Sequence, residues 1–334
     1  MASLTVDRRR VLLLVMGVAI TVWGTVGFFQ RLRIGRGGYT YSPEYIVNYV
    51  ERGGPAEEAG LQVGDRMISV EGIPVETLPL YSRWPNSLTP RAGESRRLVV
   101  ERQGQSLSFD VVYGATPRSV VNLRLGGALI GLSFMVFGLW PFLTVQTSHA
   151  LAHAYIGLTA GVATFGVGPY LGTWDGVVSH VQFAAALLLT ALLLRFFLTF
   201  PQPKRLGASR LATRIIYGVW ALFVACLVLE LIFHPALYHT FGPVGSLLML
   251  GYCILALVAV THTVVTTTRN ELWESGMGLI LVGLLVAILP NLLAFLFAFR
   301  LPGSGYFPLL LAAIPITMAL AVRKQARLEE VQIL

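Results

Sequence analysis

Eight long apolar stretches run through this chain, and a polar segment separates the first of them from the second. The apolar stretches lie at 11–30, 119–143, 149–171, 178–199, 212–234, 243–265, 276–299 and 305–322. An α-helix needs about 20 apolar residues to cross the roughly 30 Å hydrocarbon core of a bilayer. The pattern therefore predicts an α-helical polytopic membrane protein of about eight transmembrane helices.

The stretch at 149–171 is the weakest of the eight, because His149, His153 and several glycines dilute it. Without it, every later loop would change sides of the membrane. The first stretch follows Asp7-Arg8-Arg9-Arg10, which resembles the charged start of a signal peptide. Its apolar part is too long for a signal peptide and no small-residue cleavage site follows, so we expect a retained signal anchor.

The composition agrees with a lipid environment. Of the 334 residues, 55% are hydrophobic and 13% are charged, and the mean hydropathy is +0.68. Soluble domains average about 25% charged residues. The only two cysteines, Cys226 and Cys253, lie in predicted spans, so they cannot crosslink the polar segment or build a cysteine-rich metal site.

The formal net charge of +8 argues for an orientation in the membrane rather than for nucleic-acid binding. The basic residues gather at helix ends, and no basic stripe carries interleaved aromatic residues, so no nucleic-acid partner is predicted. Lys and Arg are concentrated after the fourth span, after the sixth span and in the tail, at Lys204, Arg205, Arg210, Arg214, Arg269, Arg323, Lys324 and Arg327.

Short loops rich in Lys and Arg normally stay in the cytoplasm. The loops at 172–177 and 235–242 contain neither residue. With eight spans, both termini are then cytoplasmic and the polar segment is extracytoplasmic. Arg31, Arg33 and Arg36, on the outer flank of the first span, count against this orientation.

The polar segment between 37 and 113 consists of short alternating stretches broken by Gly and Pro, which is typical of small strands. Residues 45–50 and 67–70 are predicted strands, and 98–102 and 107–111 flank a hairpin turn at Gln103-Gly104. Gly60 stands where a helix needs a left-handed C-terminal cap. The fold class is therefore a helical membrane protein with an inserted small β-rich domain.

The most specific motif occupies residues 54–72 and reads GPAEEAGLQVGDRMISVEG. Its characteristic positions are Gly54, Pro55, Ala56, Gly60, Leu61, Gly64, Asp65, Ile68 and Gly72. The motif resembles the central signature of bacterial PDZ domains. This resemblance implies a PDZ-like domain over residues 37–115.

PDZ domains usually bind a chain end as an added strand, with backbone N–H groups holding its terminal carboxylate. The resemblance places this peptide-binding loop at Gly37, Gly38, Tyr39 and Thr40, with Arg36 close enough to assist. The partner would be the C-terminus of an extracytoplasmic peptide or protein. Tyr39 and Thr40 replace the apolar pair that is usual in this loop.

The helix expected to form the second wall of the groove is interrupted by Pro79 and Pro85. An interior proline costs a helix about 3 kcal/mol, so this helix is expected to be short or bent. Peptide binding and a purely structural or modified PDZ-like module therefore both remain open.

The membrane part has a recognisable layout as well. The fourth span ends in FFLTFPQP at 196–203, and the last span carries Pro315 and then ALAVR at 319–323. With a PDZ-like domain after the first helix, this layout resembles the sensor module of bacterial membrane kinases and phosphatases, among them competence-type quorum-sensing histidine kinases. Those proteins continue into a catalytic domain, whereas this sequence stops at Leu334.

The expected domains follow from these resemblances. They are a tail and signal-anchor helix at 1–36, the PDZ-like domain at 37–115, a seven-helix bundle at 116–322 and a cytoplasmic output helix at 323–334. The resemblance implies the bacterial cell (inner) membrane as the location, and a cytoplasmic kinase or phosphatase as a possible partner of the tail.

Polar residues inside the predicted spans suggest further sites. Glu230 and His234 share one helical face and lie at the same outer depth as Asp175 and His180, so the four could line a ligand pocket. The alternative is that they are interfacial groups in contact with headgroup water. Pro290 and Asn291 mark a kink and a possible hinge.

Small residues at Gly127 with Gly131 and Gly157 with Gly161 allow close helix packing, within one bundle or in a homodimer. Among catalytic patterns, none of the six histidines is followed by Glu, so the His-Glu-x-x-His pattern of zinc proteases is missing. We predict no catalytic residue, metal or other cofactor.

The leading hypothesis is a membrane sensor or receptor that binds a peptide or small ligand outside and signals to a cytoplasmic partner. The alternatives are a PDZ scaffold that tethers an envelope protein and a transporter-like bundle that uses Glu230. Against transport, the sequence shows no internal repeat.

Overall fold

A computed structural model describes residues 2–42, 44–77, 89–145, 147–165, 175–233, 238–297 and 304–333. Within these ranges the chain forms a bundle of long helices, and a small β domain is inserted between the first two of them. The predicted fold class, a polytopic helical membrane protein with an inserted small β-rich domain, is confirmed.

The elements follow one another in this order: α1 (Ala2–Leu32), β1 (Tyr39–Tyr41), β2 (Val47–Val50), α2 (Pro55–Glu58), β3 (Arg66–Val70), β4 (Ile73–Pro74), a 3-10 turn (Val75–Thr77), β5 (Ser95–Arg102), β6 (Gln105–Val112), α3 (Arg118–Thr144), α4 (Ser148–Ala160), a π-helical segment (Gly161–Phe165), α5 (Asp175–Thr199), α6 (Arg205–Ala208), α7 (Arg210–Phe233), α8 (Tyr238–Thr266), α9 (Arg269–Glu274), α10 (Met277–Leu296), a 3-10 segment (Ser304–Ala312) and α11 (Ala313–Ile333).

Seven of these helical stretches are long and apolar enough to cross a membrane, within the ranges given above. They are Arg8–Leu32, Arg118–Thr144, Val177–Thr199, Arg210–Ile232, Phe241–Thr266, Met277–Ala294 and Tyr306–Leu328. Their outer faces carry large apolar side chains, such as Leu222 and Leu247, each 67% exposed. In a protein that spans a bilayer, such side chains face lipid.

The weakest predicted span, at 149–171, corresponds to α4 and its π-helical segment. This unit runs antiparallel to α5: the ring of His149 lies 5.4 Å from the ring of Phe200 at one end. At the other end, Val162 and Val177 line the same cavity. Although α4 is too short to count as a span alone, the combined unit follows α5 along most of its length. Residues 166–171 of the predicted span lie outside the described ranges.

Glycines let α3 and α4 pack closely. A Cβ atom on Gly157 would lie 2.5 Å from the carbonyl oxygen of Phe134 and 2.9 Å from the Cα of Gly138. Gly131 faces Thr164, and Gly161 faces the thioether of Met135. The glycine pairs of the sequence therefore serve packing inside one bundle.

The PDZ domain and the basic loops lie at opposite ends of the bundle. At the end away from the PDZ domain, the guanidinium of Arg323 in α11 stacks over Trp140 of α3 at 4.2 Å. There, too, Lys324 Nζ donates to the carbonyl of Trp273 at 2.5 Å. The tail of α11, the loop before α10 and the end of α3 therefore meet at one end.

The inserted β domain, the PDZ-like domain of the sequence analysis, contains a four-stranded antiparallel sheet in the order β4-β3-β5-β6 and a two-stranded sheet of β1 and β2. The bridge from Ile46 to Arg66 connects the two sheets. Their buried side chains form a core separate from the bundle core, and it includes Val47, Ala56 and Val100. Gln103 and Gly104, both with positive φ, make the tight turn of the predicted β5–β6 hairpin.

Candidate functional site

The predicted peptide-binding loop lies where the PDZ domain joins the membrane helices. It lines a cavity of about 430 Å³ together with residues from the last turn of α1 and the first turns of α3. The structure thus brings together all five predicted residues of this site, Arg36, Gly37, Gly38, Tyr39 and Thr40.

Three arginines surround this cavity. Arg36 comes from the loop, Arg31 from the end of α1 and Arg124 from α3. Arg31 is buried, at 5% exposure, and its carbonyl accepts a hydrogen bond from Arg124 at 3.4 Å. Among the described residues, one acidic side chain, Glu51, lines the same cavity. The lining therefore has an excess of positive charge, which suits an anionic group.

The backbone of the loop is anchored through its carbonyl groups. The carbonyl of Gly37 accepts from the N–H of Ala56, and that of Gly38 accepts from the N–H of Glu51. In the described part of the chain, the N–H groups of Gly37 and Gly38 donate to no backbone carbonyl. Two adjacent backbone donors in a glycine loop are a suitable arrangement for holding a carboxylate.

Tyr39, which replaces an apolar residue in this loop, packs into the domain. Its hydroxyl lies 2.9 Å from that of Tyr113, and a Cβ on Gly37 would lie 2.5 Å from the Tyr39 ring. Burial, together with the neighbouring Tyr113, raises the pKa of Tyr39 well above its usual value. Burial also raises the pKa of Tyr113. Both phenols therefore stay neutral, and Tyr39 supports the loop instead of adding charge to it.

The groove beside the loop is described on one side only. Within the described residues, β1 is hydrogen-bonded to β2 alone, and no described strand pairs with its other edge. The predicted second wall, including Pro79 and Pro85, lies in 78–88, outside the described residues. Beyond β4 the described chain makes one 3-10 turn that ends at Thr77.

The signature positions of the PDZ motif build the turns that support this loop. Gly54 precedes α2, Pro55 is its first residue and Ala56 is buried beneath it. Gly60, Gly64 and Gly72 all have positive φ, which favours glycine. Leu61 is buried in the core, whereas Ile68 is 40% exposed.

Asp65 is the one charged residue of the signature that is buried, at 1% exposure. Arg102 Nε and Nη2 donate to its two carboxylate oxygens at 2.6 and 2.7 Å, and Arg102 also donates to the carbonyl of Gly60. Burial alone would raise the pKa of Asp65, but the hydrogen bonds from Arg102 and the Gln62 N–H outweigh it and lower that pKa. The role of Arg102 was not predicted, because 37 residues separate the pair and no short motif links them.

The predicted outer polar pocket is only partly described. His180 and Glu230 are buried, at 5% and 2% exposure. α5 and α7 run antiparallel, because Phe183 contacts Phe223 while Leu198 and Ala212 line one cavity, so His180 and Glu230 lie toward the same end. Asp175 is the first residue of α5, and His234 lies outside the described residues. Among the described residues, no three His, Cys, Asp or Glu side chains are close enough to hold a metal ion.

The predicted hinge lies inside α10, which continues through Pro290. The Asn291 side-chain amide donates to the carbonyl of Ala287 at 2.7 Å and to that of Phe307 at 3.0 Å. Asn291 therefore links α10 to the 3-10 segment before α11. Motion at this position stays a prediction.

Comparisons with known proteins identify the β domain. Residues 46–102 match the PDZ domain family. A predicted zinc metalloprotease of Neisseria meningitidis is 37% identical over 66 residues, which are 20% of this chain and 14% of that protein. A predicted DegP-like periplasmic serine endoprotease of Pseudomonas putida is 33% identical over 82 residues, 24% of this chain and 16% of that protein. Human Tax1-binding protein 3 is 44% identical over 57 residues, 17% of this chain and 45% of that protein.

These matches cover the PDZ region only, and the chain spans less than half the length of each relative. The protein therefore contains a PDZ domain inserted in a multi-pass membrane bundle. The protease names belong to the relatives. The resemblance of the bundle to kinase sensor modules stays a prediction.

Proposed function

We propose that this protein is a bacterial membrane receptor whose PDZ domain binds the C-terminus of an extracytoplasmic peptide or protein. The observation that carries the proposal is the cavity at the PDZ–membrane junction, where the glycine loop and three arginines surround one space. A terminal carboxylate would accept hydrogen bonds from the Gly37 and Gly38 N–H groups and an ion pair from Arg36. The chain end would extend along the open edge of β1.

The proposal includes transmission across the membrane. The cavity lies between the ends of α1 and α3, so a bound anion would contact both helices through Arg31 and Arg124. α3 packs against α11, whose tail lies at the opposite end of the bundle. Binding can shift the tail only if the ligand prefers one arrangement of these helices over another. A separate cytoplasmic kinase or phosphatase would respond to the shifted tail of α11. This chain itself would carry out no catalytic step.

Peptide display tests the binding step. A library of peptides with free, variable C-termini is screened against the full-length protein in detergent, and the selected peptides are compared with amidated copies. Arg36→Gln is expected to weaken binding of the free-acid peptides roughly tenfold, because a hydrogen bond to a charged group contributes about 1.5 kcal/mol. The amidated peptides should bind weakly to both proteins.

Arg33→Gln is the matched control, because Arg33 is an exposed arginine of the same short connection but does not line the cavity. It should bind the free-acid peptides as the unmodified protein does. Equal affinity for free and amidated peptides, or equal losses in the two variants, would reject carboxylate capture at this loop.

A further inference from the structure

A pair of adjoining cavities lies at the end of the bundle opposite the PDZ domain. One, of about 510 Å³, lies among α5, α6, α7 and α8, and its walls are mainly aliphatic. The other, of about 440 Å³, is polar and lies between the loop after α5, the end of α8 and α11. Lys204 and His262 line both cavities. An apolar space that adjoins a polar one across a shared lysine and histidine has the shape and polarity of an amphiphile.

The apolar cavity opens toward the lipid-facing surface. Leu206, Ile215 and Val258 line it and are 65%, 56% and 58% exposed. These side chains belong to helices that cross the membrane, or to the loop directly after α5, so the opening lies at the level where acyl chains begin. An acyl chain can therefore enter from the bilayer, whereas a small hydrophilic anion would leave this space unfilled.

The rim of the apolar cavity is positively charged. Lys204 Nζ donates to the carbonyls of Phe197 at 2.7 Å and Phe200 at 3.5 Å, which holds the ammonium at the cavity wall. Arg205 lines the apolar cavity beside it. The sequence from 176 to 229 contains no Asp or Glu. Glu271 lines the polar cavity, but one of its carboxylate oxygens already accepts hydrogen bonds from the N–H and hydroxyl of Thr268.

We infer that this region binds one anionic phospholipid, with its phosphate against Lys204, Arg205 and His262 and one acyl chain in the aliphatic cavity. The headgroup occupies the polar cavity, where it meets Gln325 of α11. Gln325 directly follows Arg323 and Lys324, which fix α11 to Trp140 and to the Trp273 carbonyl. The lipid would thus contact the tail helix at the point where it leaves the bundle.

Native mass spectrometry on the full-length protein tests this site. The protein in detergent is titrated with dioleoylphosphatidylglycerol, and dioleoylphosphatidylcholine provides the same acyl chains on a headgroup without net charge. One phosphatidylglycerol should stay bound under conditions that remove phosphatidylcholine. In Lys204→Gln/Arg205→Gln, its affinity should fall about thirtyfold, since each Lys or Arg near an anionic lipid surface contributes roughly fivefold.

The matched control is Arg210→Gln/Arg214→Gln, which removes the same charge from the same basic segment but from side chains that do not line the apolar cavity. It should lose much less affinity than the first pair. Equal losses in the two double variants would mean diffuse surface attraction and would overturn the site. Equal retention of the two lipids would overturn it as well.

Two further measurements keep the proposal falsifiable. Lys204→Gln could unfold the protein, because it removes the hydrogen bonds from Lys204 to the end of α5. In that case the single variants Arg205→Gln and Arg210→Gln replace the double variants. Only Arg205→Gln should then lose affinity for phosphatidylglycerol, by about fivefold. Glycerol 3-phosphate is the free-headgroup probe. If it displaces phosphatidylglycerol at equal concentration, the acyl cavity contributes nothing and the assignment to a lipid fails.

Discussion

Asp65 and Arg102 form an ion pair that ties the turn after α2 to β5. The carboxylate is 1% exposed and accepts two hydrogen bonds from the guanidinium, which is 24% exposed and also stacks over Phe109 at 5.3 Å. Hydrogen bonds between charged groups contribute more to stability than neutral ones, and more where one partner is buried. This pair therefore maintains the position of the turn that supports the peptide-binding loop.

We expect Asp65→Asn to lower the free energy of unfolding of the PDZ domain by about 2 kcal/mol, because the charge-assisted hydrogen bonds from Arg102 to the buried carboxylate are lost. Hydrogen–deuterium exchange of the β3 and β5 amides in the full-length protein measures this change. Asp110→Asn is the control, since its pair with Arg97 is exposed, at 63% and 65%. That change should stay within about 0.5 kcal/mol. Similar losses in both variants would contradict a special role for the Asp65–Arg102 pair.

The lowered pKa of Asp65 also predicts a pH dependence. A carboxyl whose folded pKa lies below its unfolded value, about 3.9, stabilises the fold above that value. The stabilisation is lost as the pH falls through the lower, folded pKa. Protection of the β5 amides, corrected for intrinsic exchange, should therefore decline below about pH 4. In Asp65→Asn this decline in protection should be smaller. If the decline is the same as in the unmodified protein, other carboxyl groups cause the pH dependence.

At the scale of elements, the contact between α3 and α4 depends on small residues at the crossing. We expect Gly157→Ala to lower the stability of the bundle by about 2 kcal/mol, since the added Cβ would meet backbone atoms of Phe134 and Gly138, which cannot rotate away. Thermal unfolding in detergent, followed by circular dichroism, measures the loss.

Gly218→Ala is the control for this substitution, because a Cβ at this glycine of α7 meets nothing within 4 Å. Alanine has the higher helix propensity, so this variant should be neutral or more stable by up to about 1 kcal/mol. If both variants lose the same amount of stability, the loss comes from replacing glycine and not from the α3–α4 contact.

Local patterns predicted the elements well. The apolar stretches gave the long helices, and the positive-φ requirement at Gly104 identified the β5–β6 hairpin. The π-helical turn at Gly161–Phe165 was not predicted, because its residues are ordinary helix residues. The turn packs against α3 and α5, and such tertiary contacts cannot be read from a local pattern. Pairs distant in sequence, such as Tyr39 with Tyr113, could not be read from spacing either.

The candidate site was predicted in part. The PDZ resemblance supplied Arg36 and the glycine loop, because that motif is continuous in sequence. Arg31 and Arg124 were missed as cavity residues, since 92 residues of chain lie between them and only the convergence of α1 and α3 brings them together.

At the scale of the whole molecule, the PDZ domain and the basic loops occupy opposite ends of the bundle. With the cytoplasmic placement that we propose for the basic loops, Val63→Cys should react with a membrane-impermeant maleimide on intact cells. Gln202→Cys should react only after the cells are permeabilised. Both side chains are exposed at their positions, and each change is made in a background with Cys226 and Cys253 replaced by alanine. Labelling of both on intact cells would refute the arrangement.

Only a few residues separate the membrane helices from the glycine loop. α1 ends at Leu32, Arg36 pairs with Gly114 through two backbone hydrogen bonds, and α3 begins at Arg118. These two short, paired connections hold the glycine loop beside the ends of α1 and α3. If the loop binds chain ends as we propose, the C-termini best placed to occupy it are those held near the bilayer, at the end of a neighbouring span or on a lipid-anchored protein.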